Sequence, residues 1–291
     1  MTIKTTIKFT IFGLLLPATL VHAKLVEEVI TVPVTVKDMY GKVHTQSVQA
    51  LVFFDDEKTN PYPVAVLGHG RSANPAQRLN QNLYSGYAST AKWLVSWGFI
   101  VAVPERIGYG KTGGDDLDDS GRCSNKNYTP VYDAAASQMQ QILNAMRQRQ
   151  DVSKDKGLLL GQSFGGATVI ALAAQNPNGV QAVVNLAGGG GGNPDTSPRE
   201  PCRPDSLKQM FSTYGETARI PSLWIYTEND QYWGAQYPKD WFAAFKAKGG
   251  VGEFLFLPPN GKDGHSTFYR DPKAWRPQVL DFLKAQGLVK K

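Results

Sequence analysis

The sequence predicts an α/β fold, a mostly parallel sheet of about eight strands with helices on both faces. Three observations carry that expectation. Short apolar runs alternate with helix-like stretches over most of the chain, the one-dimensional trace of strand–helix–strand units. The two earliest runs stand apart, joined by a polar turn instead of a helix. A later run ends in Gly161-Gln162-Ser163-Phe164-Gly165, a serine flanked by glycines where a strand gives way to a helix.

Taken in order, residues 1–23 read as an export signal. Lys4 and Lys8 make a basic start, residues 9–16 are mostly apolar, and Val21-His22-Ala23 resembles a cleavage site. The mature chain would begin at Lys24, in the periplasm or outside the cell. No later run approaches the ~18 consecutive apolar residues that a membrane span needs, so no stable membrane insertion is expected. Residues 26–36 and 47–54 read as the first strand pair. Further strands are expected at 64–67, 99–103, 157–160, 180–186, 223–227 and 254–257. Helices are expected at 86–96, 132–149, 164–175, 206–214, 238–248 and 274–286. No composition break interrupts residues 24–291, which read as a single domain without a large cap. Two connections are long, 104–130 and 187–205, and each carries one of the two cysteines. In an oxidising compartment one disulfide between Cys123 and Cys202 is the natural reading, with two buried thiols as the alternative.

Composition removes several classes of function. Lys and Arg number 31 against 25 Asp and Glu, and loss of the signal's two lysines leaves an excess of only +4. The basic residues are scattered, so no nucleic-acid partner is expected. Asp115, Asp116, Asp118 and Asp119 lack the spacing of a calcium loop and read as solvated. Gly68, Gly70 and Ala73 match a dinucleotide fingerprint, but no acidic residue follows about 20 positions later and Pro75 interrupts the helix that should hold pyrophosphate. The glycines from Gly161 to Thr168 are spaced like a phosphate loop, yet Ala167 stands where its lysine must be. The glycine run 188–192 either leaves space above the serine or lets the chain turn, flexibility being the plainer reading.

The serine asks for a base, because a neutral hydroxyl is a poor nucleophile, and the base asks for an orienting acid. Only four histidines exist. His22 leaves with the signal, His44 lies in the early strand pair, and His69 precedes the serine, whereas the strand–serine–helix turn places its base last in chain order. His265, between the last strand and the last helix, is the candidate. Asp230 follows the strand at 223–227 and is the preferred acid, with Glu228 and Asp195 as competitors. Tyr109 and Trp233 flank these loops and are candidates for a substrate pocket, with ordinary packing as their other reading.

Through "GHGRSA", "PERIGYGKTGG", "GQSFGG", "TENDQYW" and "DGHSTF" the mature chain resembles the α/β-hydrolase superfamily, and within it the dienelactone-hydrolase-like and polyester-hydrolase-like group. The resemblance implies an α/β-hydrolase fold and a serine esterase. Ser163 would be the nucleophile, where dienelactone hydrolases proper use cysteine. It also implies that backbone N–H groups of Phe164 and Arg71 form the oxyanion hole. Polyester hydrolases usually carry an aromatic residue in place of Arg71. The implied partner is a small or polymeric ester, and no metal or organic cofactor is called for. A peptidase or amidase on the same triad, and an exported binding protein that lost catalysis, are the alternatives.

Overall fold

The computed structural model describes residues 25–58, 61–72 and 74–290, and the predicted export signal lies outside the described residues. The chain opens with β1 (Leu25–Lys37), turns at Asp38 and returns as β2 (Val43–Asp55). Their antiparallel register runs from Leu25 opposite Asp55 to Lys37 opposite Val43. Val32, Val34 and Val36 point inward between exposed neighbours, as the two-residue period of a strand requires.

Strands and helices then alternate. They are β3 (Tyr62–Gly68), α1 (Pro75–Leu79), α2 (Leu83–Ser96), β4 (Ile100–Pro104), α3 (Tyr128–Arg147), β5 (Val152–Gln162), α4 (Phe164–Ala173) and β6 (Val180–Leu186). After these come α5 (Pro204–Gly215), β7 (Ser222–Thr227), α6 (Tyr237–Ala247), β8 (Gly252–Leu257), α7 (Thr267–Arg270) and α8 (Arg276–Ala285). The sheet order is β1-β2-β4-β3-β5-β6-β7-β8. β2 pairs antiparallel with both β1 and β4, and every pair beyond β4 is parallel. The inner strands are apolar on both faces because helices cover both. One core lies against α3 to α6 and includes Phe211, Trp224, Trp241 and Phe245. The other lies against α2 and α8 and includes Leu94, Phe99, Trp275 and Leu283.

Each predicted strand is present, but β2 and β5 start earlier than expected, at Val43 and Val152, α1 and α7 are additional, and further differences fall at helix starts and in one loop. α3 begins at Tyr128, earlier than the expected residue 132, with Pro130 inside its first turn. Proline is tolerated there because a first-turn N–H has no intrahelical acceptor. Pro75 likewise starts a helix: it opens α1, where the Asn74 side chain accepts from the N–H groups of Ala76 and Gln77. The acidic connection after β4 is solvated only in part, Asp115 and Asp119 being exposed. Asp115 pairs with Lys42, Asp116 with Arg71 and Arg78, and Asp118 is buried against Arg106. Cys123 and Cys202 form a disulfide with their Cα atoms 5.0 Å apart, tying the connection after β4 to the one after β6. Among the described residues no helix is long and apolar enough to cross a membrane.

Candidate active site

β5 delivers Ser163 to the carboxyl edge of the sheet, and α4 begins immediately after it. Ser163 adopts φ 55° and ψ −123°, a conformation that L-residues rarely take and that places the side chain on a sharp turn. The flanking glycines make that turn possible. A Cβ on Gly161 would sit 2.0 Å from the Gly165 carbonyl oxygen, and one on Gly165 would sit 2.2 Å from the Gly68 carbonyl oxygen. The backbone is held from both sides. Ser163 N–H donates to the Leu186 carbonyl, and the Ser163 carbonyl accepts from Gly166 and Ala167.

The loops after β7 and β8 bring two more side chains to the same edge. His265 lies in a single 3-10 turn, residues 264–266, capped by Asp263. Asp263 Oδ1 accepts from His265 N–H and from Gln231 N–H, each at 2.9 Å, and so fastens one loop to the other. His265 Nδ1 is 2.8 Å from Asp230 Oδ2, and His265 Nε2 is 3.0 Å from Ser163 Oγ. A carboxylate only accepts, so the ring proton belongs on Nδ1, and Nε2 is left to accept from the serine hydroxyl. Asp230 is fully buried, its second oxygen accepting from the backbone N–H groups of Tyr232 (2.8 Å) and Trp233 (3.1 Å). Glu228 and Asp195, the competing acids, are exposed. The other described histidines are engaged elsewhere. His44 contacts Asp38, while His69 donates from Nδ1 to the Gly70 carbonyl and accepts at Nε2 from Arg106 N–H. Burial, reinforced by the Arg106 charge, holds the His69 imidazole well below its ordinary pKa.

Aromatic rings seat the imidazole. Tyr232 stacks on it with centroids 4.1 Å apart, and Trp233 meets it edge-on at 5.4 Å while its indole N–H donates to the Ala187 carbonyl. Sequence reasoning missed Tyr232; its place two residues after the acid was the available signal. It also missed a polar chain on the opposite side. The Gly70 N–H donates to Tyr87 Oη, Tyr87 and Tyr269 hydroxyls bond at 2.8 Å, and Tyr269 donates to Gln162 Oε1 at 2.9 Å. Because the single proton of Tyr269 goes to Gln162, Tyr87 is the donor between the two tyrosines.

Phe164 opens α4, so its N–H has no intrahelical acceptor, and it lies directly beside Ser163. Arg71 follows Gly70, whose Cα is close enough to the serine that an added Cβ would come 3.4 Å from Ser163 Cβ. The Arg71 guanidinium is gripped bidentately by Asp116 at 2.7 and 3.0 Å. Burial alone would lower its pKa, but the bond to Asp116 and the nearby Asp118 charge outweigh this and hold it above the ordinary value. Behind it, Arg106 and Asp118 form a buried ion pair. Arg106 also bonds the His69 and Gly70 carbonyls and lies 4.7 Å from the centroid of the Phe164 ring.

Two cavities meet at Ser163. One, about 300 Å³, also reaches His265, Gln162 and Tyr269. The other, about 560 Å³, runs past Phe164, the glycine run after β6 and the disulfide. Trp233 lines the larger cavity. Tyr109 does not line either of them. It is fully buried, with its hydroxyl donating to Asp118 at 2.7 Å, and so takes its packing role. Half-buried Lys126 also lines the larger cavity, and loss of solvent lowers its pKa.

Comparison with known proteins agrees with this architecture. Solved structures with the same fold include an acetyl xylan esterase from Paenibacillus sp. R4, 16% identical with TM-score 0.56, the match covering 90% of this chain and 89% of that one. A dienelactone hydrolase-like promiscuous phosphotriesterase from metagenomic libraries is also 16% identical, with TM-score 0.58 over 90% of this chain and 98% of that one. An esterase of Pyrococcus furiosus is 13% identical, with TM-score 0.56 over 88% and 90%. At these identities the likeness speaks for the fold. The family model described as serine aminopeptidase, S33, matches residues 81–241, more than half of the sequence and the whole stretch from α2 through Ser163 and Asp230. The chain is therefore an α/β hydrolase with dienelactone-hydrolase-like and esterase neighbours, and it belongs to the serine aminopeptidase S33 family.

Proposed function

We propose that the protein is an exported serine hydrolase that cleaves carboxylic esters through an acyl-enzyme. The observation that carries this reading is the hydrogen-bonded series Ser163–His265–Asp230, built on a serine held in a strained turn. Ser163 Oγ attacks the ester carbonyl while His265 Nε2 takes its proton, and Asp230 steadies the imidazolium that forms. The N–H groups of Phe164 and Arg71 receive the charge that develops on the carbonyl oxygen, a donor of this kind being worth roughly 10²–10³ in kcat. His265 then passes the proton to the departing alcohol, and water releases the acid by the same steps in reverse order. The disulfide supports an oxidising destination. Sequencing the exported chain tests that part, with Lys24 as the expected first residue.

The decisive experiment is hydrolysis of a p-nitrophenyl ester by the purified protein together with Ser163→Ala and His265→Ala. Both substitutions should abolish turnover, and an active-site phosphonate should label Ser163 in the unaltered protein. Full activity in His265→Ala would refute the scheme. Absence of labelling in folded protein would favour a binding protein without catalysis. A second reading, peptide or amide hydrolysis on the same three residues, is favoured by the description of the matching family. Matched ester and amide substrates separate the two, since a clear preference for the amide overturns the esterase reading.

A further inference from the structure

The two cavities that meet at Ser163 share Arg71, Ser72 and Tyr232, but His265 lines the smaller one and not the larger. In the smaller one the wall is made of side-chain amides, including Gln81 and Asn82, of hydroxyls, including Ser72 and Tyr269, and of the Tyr232 ring. Its guanidinium, Arg71, is already committed to Asp116. Among the described residues of this wall there is no aliphatic side chain and no carboxylate. The proton of Tyr269 goes to Gln162 and its oxygen accepts from Tyr87, so this tyrosine, which lines the cavity, can offer a ligand only an acceptor. His265 lines this cavity, whereas Phe164 and Trp233 line the larger one.

Proton transfer decides which half of the ester goes where. The leaving oxygen must receive its proton from His265 Nε2, so it lies on the imidazole's side of Ser163. Resting on the ester-hydrolase reading above, we infer that the smaller cavity is the alcohol subsite and that it takes a neutral polyhydroxylated alcohol, a sugar or glycerol unit. The acyl group then occupies the larger cavity. Amides and hydroxyls both donate to and accept from hydroxyl groups, which suits a polyol. An alkyl alcohol would strip water from these groups and return only contact with the tyrosine rings. A cationic alcohol would meet no carboxylate.

The test holds the acyl group constant as acetate and varies the alcohol among xylose, glycerol and hexanol. The xylosyl and glyceryl esters should exceed the hexyl ester in kcat/KM by about tenfold, the yield of one to two neutral hydrogen bonds. Gln81→Leu should shrink that ratio by about fivefold, one such bond. A second measurement needs no variant. With p-nitrophenyl acetate as donor, a bound polyol attacks the acyl-enzyme in place of water. Its oxygen bonds the acyl carbon, the Ser163 Oγ–carbon bond breaks, and its proton returns to Ser163 through His265. Xylose and glycerol should therefore be acetylated faster than hexanol at equal concentration. Equal or better use of the hexyl ester and of hexanol would overturn the subsite assignment, while Ser163-dependent release of p-nitrophenol would still uphold the ester hydrolase. Failure of that release, with no phosphonate labelling, would instead defeat the hydrolase reading itself.

Discussion

Replacing Asp230 by asparagine tests the proposed proton relay at one atom. Asp230 Oδ1 accepts the Tyr232 and Trp233 amides, leaving Oδ2 for His265 Nδ1. An asparagine must keep its carbonyl oxygen on those two amides, because its nitrogen cannot accept from them, and so it turns an NH2 toward Nδ1. Two donors cannot share that position. The imidazole answers by carrying its proton on Nε2, which then faces Ser163 Oγ, 3.0 Å away, as a donor. The serine loses its base. The expected loss is about 10⁴ in kcat, or about 5.4 kcal/mol at 1.36 kcal/mol per tenfold. Carboxylate and amide have the same shape, so the variant should remain folded. The assay is steady-state ester hydrolysis, accompanied by a thermal melt and phosphonate titration. A folded Asp230→Asn protein that keeps more than a tenth of kcat would refute the claim that this carboxylate sets the tautomer.

Three further outcomes follow from the surrounding structure. Asp118→Asn strands the buried Arg106 guanidinium and should lower stability by about 3–5 kcal/mol, a fall of roughly 6–20 °C in melting temperature; a change under 2 °C would show that the pair is not needed. Cys123→Ser with Cys202→Ser opens a sequence separation of 79 residues, and the chain-entropy relation gives about 4.5 kcal/mol lost in denaturant titration, so an unchanged midpoint would contradict it. His69 is neutral when folded and free to protonate when unfolded, so the unfolded chain binds more protons below the ordinary histidine value of 6.5 and stability falls as pH drops through it. His69→Asn should flatten that decline by up to about 1.4 kcal/mol per pH unit, and parallel declines in the two proteins would rule out this origin.

What the sequence makes legible is local or periodic. Eight apolar runs announce eight strands, and Gly161 and Gly165 announce the serine turn because only a missing side chain fits where carbonyl oxygens approach to about 2 Å. His265 comes out by elimination, which works because histidines are few. What stays hidden depends on contacts between distant segments. The bond between Tyr87 and Tyr269 spans 182 positions, and neither tyrosine sits in a motif. The acidic loop reads as solvated because its carboxylates lack the spacing of a calcium loop, and only the fold shows Arg71 and Arg78 opposite Asp116 and Arg106 opposite Asp118. Tyr109 illustrates the same limit. Proximity to a catalytic-looking loop does not distinguish a pocket wall from a tyrosine sealed behind an aspartate.

The short segment 230–233 combines tasks that other proteins could separate. Its backbone amides grip the acid, and its two rings cushion the imidazole while also forming part of the cavity wall. Any mutation that reshapes the wall here also unsettles the His265 imidazole. Over evolutionary time, change in the shape of this wall is thereby steered away from the segment and toward other parts of the lining, such as Gln81 and the stretch from Asn193 to Asp195.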